Sequence, residues 1–294
     1  MKYNRYLRSE GTSWAFWQFN EYETQINSAY WSGVSALSRA SYKVRNAPVP
    51  VDARAIMHAD GPDAIRVPKD GKIFISNLGF YLNWTRASFI MAATGAFETY
   101  LWRAVLTALM SDPAAAHGKS KAIDGAVWLK LGLMPDYTKT KENVTKGDWN
   151  QRYSRLCNLF GDIPDLQSRV GELDKIRTFR NNVGHAFGRD LSMEPNLTVR
   201  TMEQMQTIKE TKFKEWLGVI SKSAKALDNV LVENHIGDFE PMLHFHSYYH
   251  ALGVPKPEIN GSFISKYKKV LAETEGHSKG KEYAKSLIAA YLSA

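Results

Sequence analysis

The chain has 294 residues, 44% of them hydrophobic and 23% charged, enough apolar material for a packed core in one large domain or two modest ones. Its 13 Phe, 8 Trp and 14 Tyr exclude wholesale disorder, and its single cysteine, Cys157, excludes a disulfide framework and every multi-cysteine metal site, which favours a reducing cytoplasm. A net charge of +8 favours an anionic partner without separating nucleic acid from a membrane surface.

The basic start, Met1 to Arg8, is followed by no apolar run, so no secretory signal is expected. Residues 1 to about 46 mix aromatic and polar side chains, and a helix is expected from Ser13 to Arg39. Its aromatics either pack this segment onto the body or stack on exposed bases. From Asn46 to Gly71, Pro48, Pro50, Gly61, Pro62 and Pro68 make helix improbable, and Lys72–Ser76 alternates like a short strand. Leu78 to Leu109 has helical spacing and no proline. Its most apolar part, Ser88 to Met110, carries Glu98 and Arg103, which reads as a buried helix rather than a membrane span. Residues 114–149 are mixed, with a short apolar run at Ala126–Met134 bounded by Pro135, and further helices are expected at Tyr153–Phe160, from after Pro164 to about Phe187, at Thr211–Val232, at Ser265–Leu271 and at Lys281–Leu292. The fold class is therefore mainly α. An irregular, aromatic-rich extension with short strands (1–77) precedes a helical bundle (78–236) and a small basic helical region (237–294).

The chemistry concentrates in the helix after Pro164. At about 100° per residue, Ile176, Phe179, Val183 and Phe187 form one apolar stripe. Arg177, Arg180, Asn181, Gly184 and His185 occupy another face. Gly184 costs a helix roughly 1 kcal/mol relative to Ala. Its use is either close approach of a substrate or second backbone, or tight packing against a neighbouring helix. Two guanidiniums, an amide and an imidazole suit attack on a phosphodiester. RNA carries its own nucleophile, the 2′-hydroxyl, so an enzyme needs a base, an acid and positive charge on the developing phosphorane. Histidine serves either proton role at neutral pH, arginine matches phosphate oxygens, and neither needs a metal. DNA lacks the hydroxyl and resists this route.

Arg180-Asn181-Asn182-Val183-Gly184-His185 resembles the R-x(4–6)-H motif of the HEPN superfamily, and Ala96-Phe97-Glu98-Thr99-Tyr100-Leu101 resembles the acidic earlier helix of many HEPN domains. The resemblance covers about Leu78 to Ile236. It implies a helical bundle, usually homodimeric, with the motif helices of two protomers facing each other. Catalytic members are metal-independent endoribonucleases of bacterial toxin, abortive-infection and CRISPR-associated systems that leave cyclic phosphate and 5′-hydroxyl ends. Transferred to this chain, the resemblance makes Arg180, His185 and Asn181 catalytic, with Glu98, Arg177 and Gly184 in support. It implies no metal and no other cofactor. The expected partners are RNA, a second copy, and an antitoxin or phage trigger, with no membrane. Some HEPN proteins bind nucleotides or partners without cleaving, which is the alternative reading. Arg180 and His185 sit about 140° apart on a straight helix, awkward for one phosphate unless a two-fold axis brings two copies together.

Three other features compete. His244, His246 and His250, near Glu240, have spacings that a metal could use. His117-Gly118-Lys119-Ser120 lacks the earlier glycine of a phosphate-binding loop, with Pro113 in its place. Lys266, Lys268, Lys269, Lys279, Lys281 and Lys285 make the C-terminus basic, either as a solvated face or as phosphate contacts.

Overall fold

A computed structural model describes residues 2–186, 205–253 and 258–294. Among these the chain is mainly α. The helices are α1 (Trp14–Arg45), α2 (Ala53–Ile56), α3 (Gly71–Ser111), α4 (Gly125–Leu131), α5 (Thr138–Thr145) and α6 (Trp149–Phe160). They continue as α7 (Pro164–Gln167), α8 (Val170–Ala186), α9 (Glu210–Leu231), α10 (Phe239–Ala251), α11 (Gly261–Glu275) and α12 (Lys281–Ser293). No described helix is long and apolar enough to cross a membrane.

The expected strand at Lys72–Ser76 is instead the first turn of α3. The Asp70 carboxylate accepts hydrogen bonds from the Lys72 and Ile73 backbone N–H groups at 2.7 and 3.0 Å, and Phe74 N–H donates to the Asp70 carbonyl. That cap satisfies helix donors that a strand would leave to a neighbour, and it overrides the strand preference of Ile73 and Ile75. The only β pairing among the described residues is an isolated bridge between Asp52 and Asp70. The short strands expected in the extension are therefore absent from its described part.

The helices divide into two compact units of discontinuous sequence, which differs from the three consecutive segments drawn from the sequence. The first comprises Met1–Phe19, Phe97–Gly171 and Ser221–Ala294; the second comprises Asn20–Ala96 and Glu172–Ile220. In the first, Phe97, Tyr100, Leu101, Ala104, Val105, Ala108 and Leu109 of α3 are buried at helical spacing. Phe97 stacks on Trp149, the first residue of α6, at 5.4 Å between ring centroids. The C-terminal core gathers Met242 and Phe245 of α10, Tyr267 and Leu271 of α11, and Tyr283, Leu287 and Tyr291 of α12 around Tyr3.

The N-terminal segment is stitched into this unit by polar contacts. The Arg5 guanidinium donates to the carbonyls of Ile236 and Ser111. Arg5 also closes on Gly237, whose φ of +53° ends a π-helical turn, Val232–Ile236; a Cβ there would lie 2.6 Å from the Arg5 carbonyl oxygen. The expected packing of the early aromatics holds in part: Tyr3, Phe16, Phe19 and Tyr30 are buried, whereas Tyr6, Trp17, Tyr22 and Trp31 are exposed.

In the second unit, Asn83 and Arg86 of α3 grip the lead-in to α9. Asn83 accepts from Ile208 N–H at 2.8 Å, and Arg86 donates to the Ile208 carbonyl at 3.2 Å and to the Tyr30 hydroxyl at 3.0 Å. Tyr30 in turn packs on Phe213 of α9, with centroids 4.4 Å apart.

Buried charge gives the first unit a pH signature. Arg8 pairs with Glu240 at 2.9 Å and lies 3.8 Å from Asp238, all three side chains being buried, so one guanidinium faces two carboxylates. Burial pushes the Glu240 carboxyl up to about 7, against the opposing pull of Arg8. A raised acid binds its proton more tightly in the folded chain than in the unfolded one. Its contribution is therefore full below an unfolded value near 4.5 and is lost as pH rises through about 7. We expect urea denaturation to show stability falling over that interval, by at most about 1.4 kcal/mol per pH unit. Glu240→Gln should remove that component, and parallel pH profiles for the two proteins would contradict it.

Candidate functional site

Helix α8 carries the predicted face. Ile176, Phe179 and Val183 are 1, 4 and 5% exposed, so the apolar stripe is buried as its spacing requires. Its fourth member, Phe187, lies outside the described residues. The helix is held against α9 within the second unit. Phe179 packs on Trp216 with centroids 5.2 Å apart. Glu172, in the first turn, accepts from Lys212 at 3.0 Å and from the Trp216 indole N–H at 3.2 Å. Hydrogen bonds from Lys175 and then Lys212 draw the Glu172 carboxyl down to about 2. This polar anchor had no sequence signal, since Glu172 and Lys212 are 40 positions apart.

With the stripe inward, the other face of α8 is accessible. Gly184 and His185 are exposed, and Arg177, Arg180 and Asn181 are half-buried. The Arg180 guanidinium donates to the Asn181 side-chain oxygen at 3.2 Å. That contact turns the Asn181 amide oxygen toward the arginine. Arg177 makes a two-pronged pair with Asp174, at 2.8 and 3.2 Å, which offsets its charge.

Of the two uses open for Gly184, tight packing by a neighbouring helix finds no support among the described residues: its own chain neighbours and helix backbone aside, nothing lies within 4 Å of where its Cβ would stand. Among the described residues, no internal contact requires the glycine. Glu98 belongs to the first unit, where its carboxylate accepts from Arg152 at 3.2 Å. Arg152 is buried beneath it, over the Trp149 ring and bonded to the Gly147 carbonyl.

The C-terminal histidines are engaged by hydroxyl groups. His244 lies 3.3 Å from the Tyr267 hydroxyl and 3.1 Å from that of Thr274; His246 lies 2.7 Å from the Tyr291 hydroxyl, which is 3.5 Å from His250. Both nitrogens of His244 are therefore used. Burial lowers the tendency of His244 and His246 to take a proton. The grouping with metal-ligand spacing among the described residues is a different one, Glu10, Glu275 and His277. Of the basic C-terminal residues, Lys266, Lys269, Lys281 and Lys285 are exposed. Lys279 is instead drawn into ion pairs with Glu10 and Glu275.

No protein-family model matches the chain, and no curated protein or solved structure matches it.

Open space at Gly184 yields a direct expectation. Gly184→Ala should stabilise the protein by roughly 0.5–1 kcal/mol, through helix propensity and a more restricted unfolded chain. Chemical denaturation of dilute protein reads this. A loss of stability would show that something outside the described residues fills the position.

Proposed function

We propose that the chain is a metal-independent endoribonuclease of the HEPN type, working as a homodimer through Arg180 and His185, with Asn181 orienting the guanidinium. The observation that carries this reading is the combination on α8: a buried stripe fixes the helix, and Arg180, Asn181 and His185 stand together on its accessible side. In the proposed reaction a base takes the proton of the ribose 2′-hydroxyl, and that oxygen forms a bond to phosphorus. The bond to the 5′-oxygen breaks as an acid protonates the leaving group, leaving a 2′,3′-cyclic phosphate and a 5′-hydroxyl. His185 supplies one proton role and the partner subunit's His185 the other. Arg180 offsets the negative charge that builds on the equatorial oxygens.

A dimer answers a geometric problem. Five residues apart on a helix, Arg180 and His185 differ by about 7.5 Å of rise and 140° of rotation, so a second copy facing the first completes the site. The open position at Gly184 fits such an approach. The cellular role in this proposal is that of a bacterial defence or toxin effector acting on cytoplasmic RNA, with an antitoxin or phage component as its regulator.

Incubation with total RNA in excess EDTA tests the proposal. The wild type should cleave, and His185→Ala and Arg180→Ala should each lose about 10²–10⁴-fold in rate while keeping fold and oligomeric state. Activity per chain should fall on dilution into monomers. Cleavage undiminished in both variants, or full activity in a demonstrable monomer, contradicts the proposal. A wild type inert toward RNA under every activating condition favours the non-catalytic nucleotide- or partner-binding alternative.

A further inference from the structure

The second half of α1 and the first half of α3 run antiparallel within the second unit. Tyr30 meets Phe89, with ring centroids 5.8 Å apart, and Val44 lies beside Gly71. Between the two helices is a groove of about 620 Å³. Its apolar lining is Val34 and Leu37 of α1 and Ile75, Leu78 and Leu82 of α3, each half-buried. On α1 the lining runs from Val34 to Arg45 at helical spacing, about 16 Å or three turns. Ser38 and Gly79 also line it. Around Gly79, its own helix and chain neighbours aside, no described atom lies within 4 Å of where a Cβ would stand. Small residues at these two positions leave room for the approach of another backbone.

Charge around the groove has one sign. Residues 24–51 and 71–97 contain no Asp or Glu. Arg45 lines the groove, and Arg39 lies over the ring of Tyr42, another lining residue. Lys43 follows Arg39 by one turn, and Lys72 precedes Ile75 by one turn. All four cations are exposed and without an ion pair among the described residues, whereas Arg86, further along α3, is paired with Glu210. Of the acids in the segment joining the helices, Asp52 and Asp70 cap α2 and α3, and Asp63 pairs with Arg66.

An apolar trough with a cationic border suits a ligand that is apolar along one line and anionic beside it. A second copy of the same groove would set like charges against each other. A nucleic-acid strand would leave the polar edges of its bases against leucine and isoleucine, without hydrogen-bond partners. A helix with apolar residues at i, i+3, i+4 and i+7 and carboxylates on its flanks matches both the lining and the border. We propose that this groove docks an acidic amphipathic helix of a partner protein, with its apolar stripe against Leu37, Leu78 and Leu82 and its carboxylates against Arg45 and the neighbouring cations. The site rests on its own residues and is independent of α8.

The probe is a capped, fluorescent peptide of about fourteen residues, with leucines at that spacing and glutamate and alanine elsewhere. Fluorescence anisotropy with the full-length protein compares it with a lysine-for-glutamate counterpart and with a scrambled peptide of the same composition. The acidic peptide should bind at least about tenfold more tightly than either control, and Arg45→Glu should weaken it by a similar factor. Gly79→Leu fills the groove, keeps every charge and improves helix propensity, so it should abolish binding with an unfolding temperature no lower than that of the wild type. Absence of binding up to about 1 mM, equal binding of a control peptide, or undiminished binding in Gly79→Leu overturns the proposal. So does a different occupant. That would show as self-association, or as binding of phosphatidylserine vesicles or a single-stranded RNA decamer, that Gly79→Leu removes while the peptide fails to bind. It would also show as peptide binding that begins only when residues 187–204 are replaced by a Gly/Ser linker of equal length. Cleavage is read in none of these arms, so the outcome is separable from that of the ribonuclease proposal.

Discussion

The rotational setting of α8 is the constraint on which the functional reading depends. Ile176, Phe179 and Val183 bury their side chains, each contributing on the order of 1.5–3 kcal/mol. The polar contacts of the opposite face are worth far less, since Arg180 and Asn181 remain half-buried and His185 is exposed. The apolar stripe therefore decides which way the helix faces, and the polar face follows from it. Glu172, clamped by Lys212 and Trp216, fixes the start of the helix against α9 and opposes rotation about its axis.

Charge in this protein is used inside as well as outside. Arg5, Arg8, Arg152 and Lys279 are largely buried and committed to carbonyls or carboxylates. Each of the four faces at least one carboxylate, so the net charge of +8 is carried by other side chains. What attracts RNA in the proposed reading is Arg180 on a defined helix face, assisted by exposed lysines such as Lys266 and Lys285.

The parts of the fold legible in the sequence are those written in local periodicity. The stripe on α8, the apolar run from Phe97 to Leu109 on α3, and the helices near Tyr153 and Thr211 all repeat at 3.6 residues, and burial is what that repeat encodes. Lys72–Ser76 was misleading because alternation over five residues also fits a helical turn, and the deciding feature was a single capping carboxylate, Asp70. Long-range chemistry was not legible at all. Glu10 and Glu275 meet through Lys279 across most of the chain, and no spacing rule links them. The histidines at 244, 246 and 250 looked like ligands by spacing, yet the tyrosines that engage them come from α11 and α12. The candidate site lay between these cases: its residues were readable from the motif, whereas the pairing of Arg177 with Asp174 and the open space at Gly184 required coordinates.

Whether the ribose 2′-hydroxyl is the nucleophile at the α8 face, as proposed, is read from the ends of the cut strand. An RNA oligonucleotide and its 2′-O-methyl counterpart are incubated with the protein in EDTA, and the products are analysed by mass. Fragments ending in 2′,3′-cyclic phosphate and 5′-hydroxyl, from the RNA alone, are the predicted result. Cleavage of the methylated strand, or fragments carrying 5′-phosphate and 3′-hydroxyl, would contradict it.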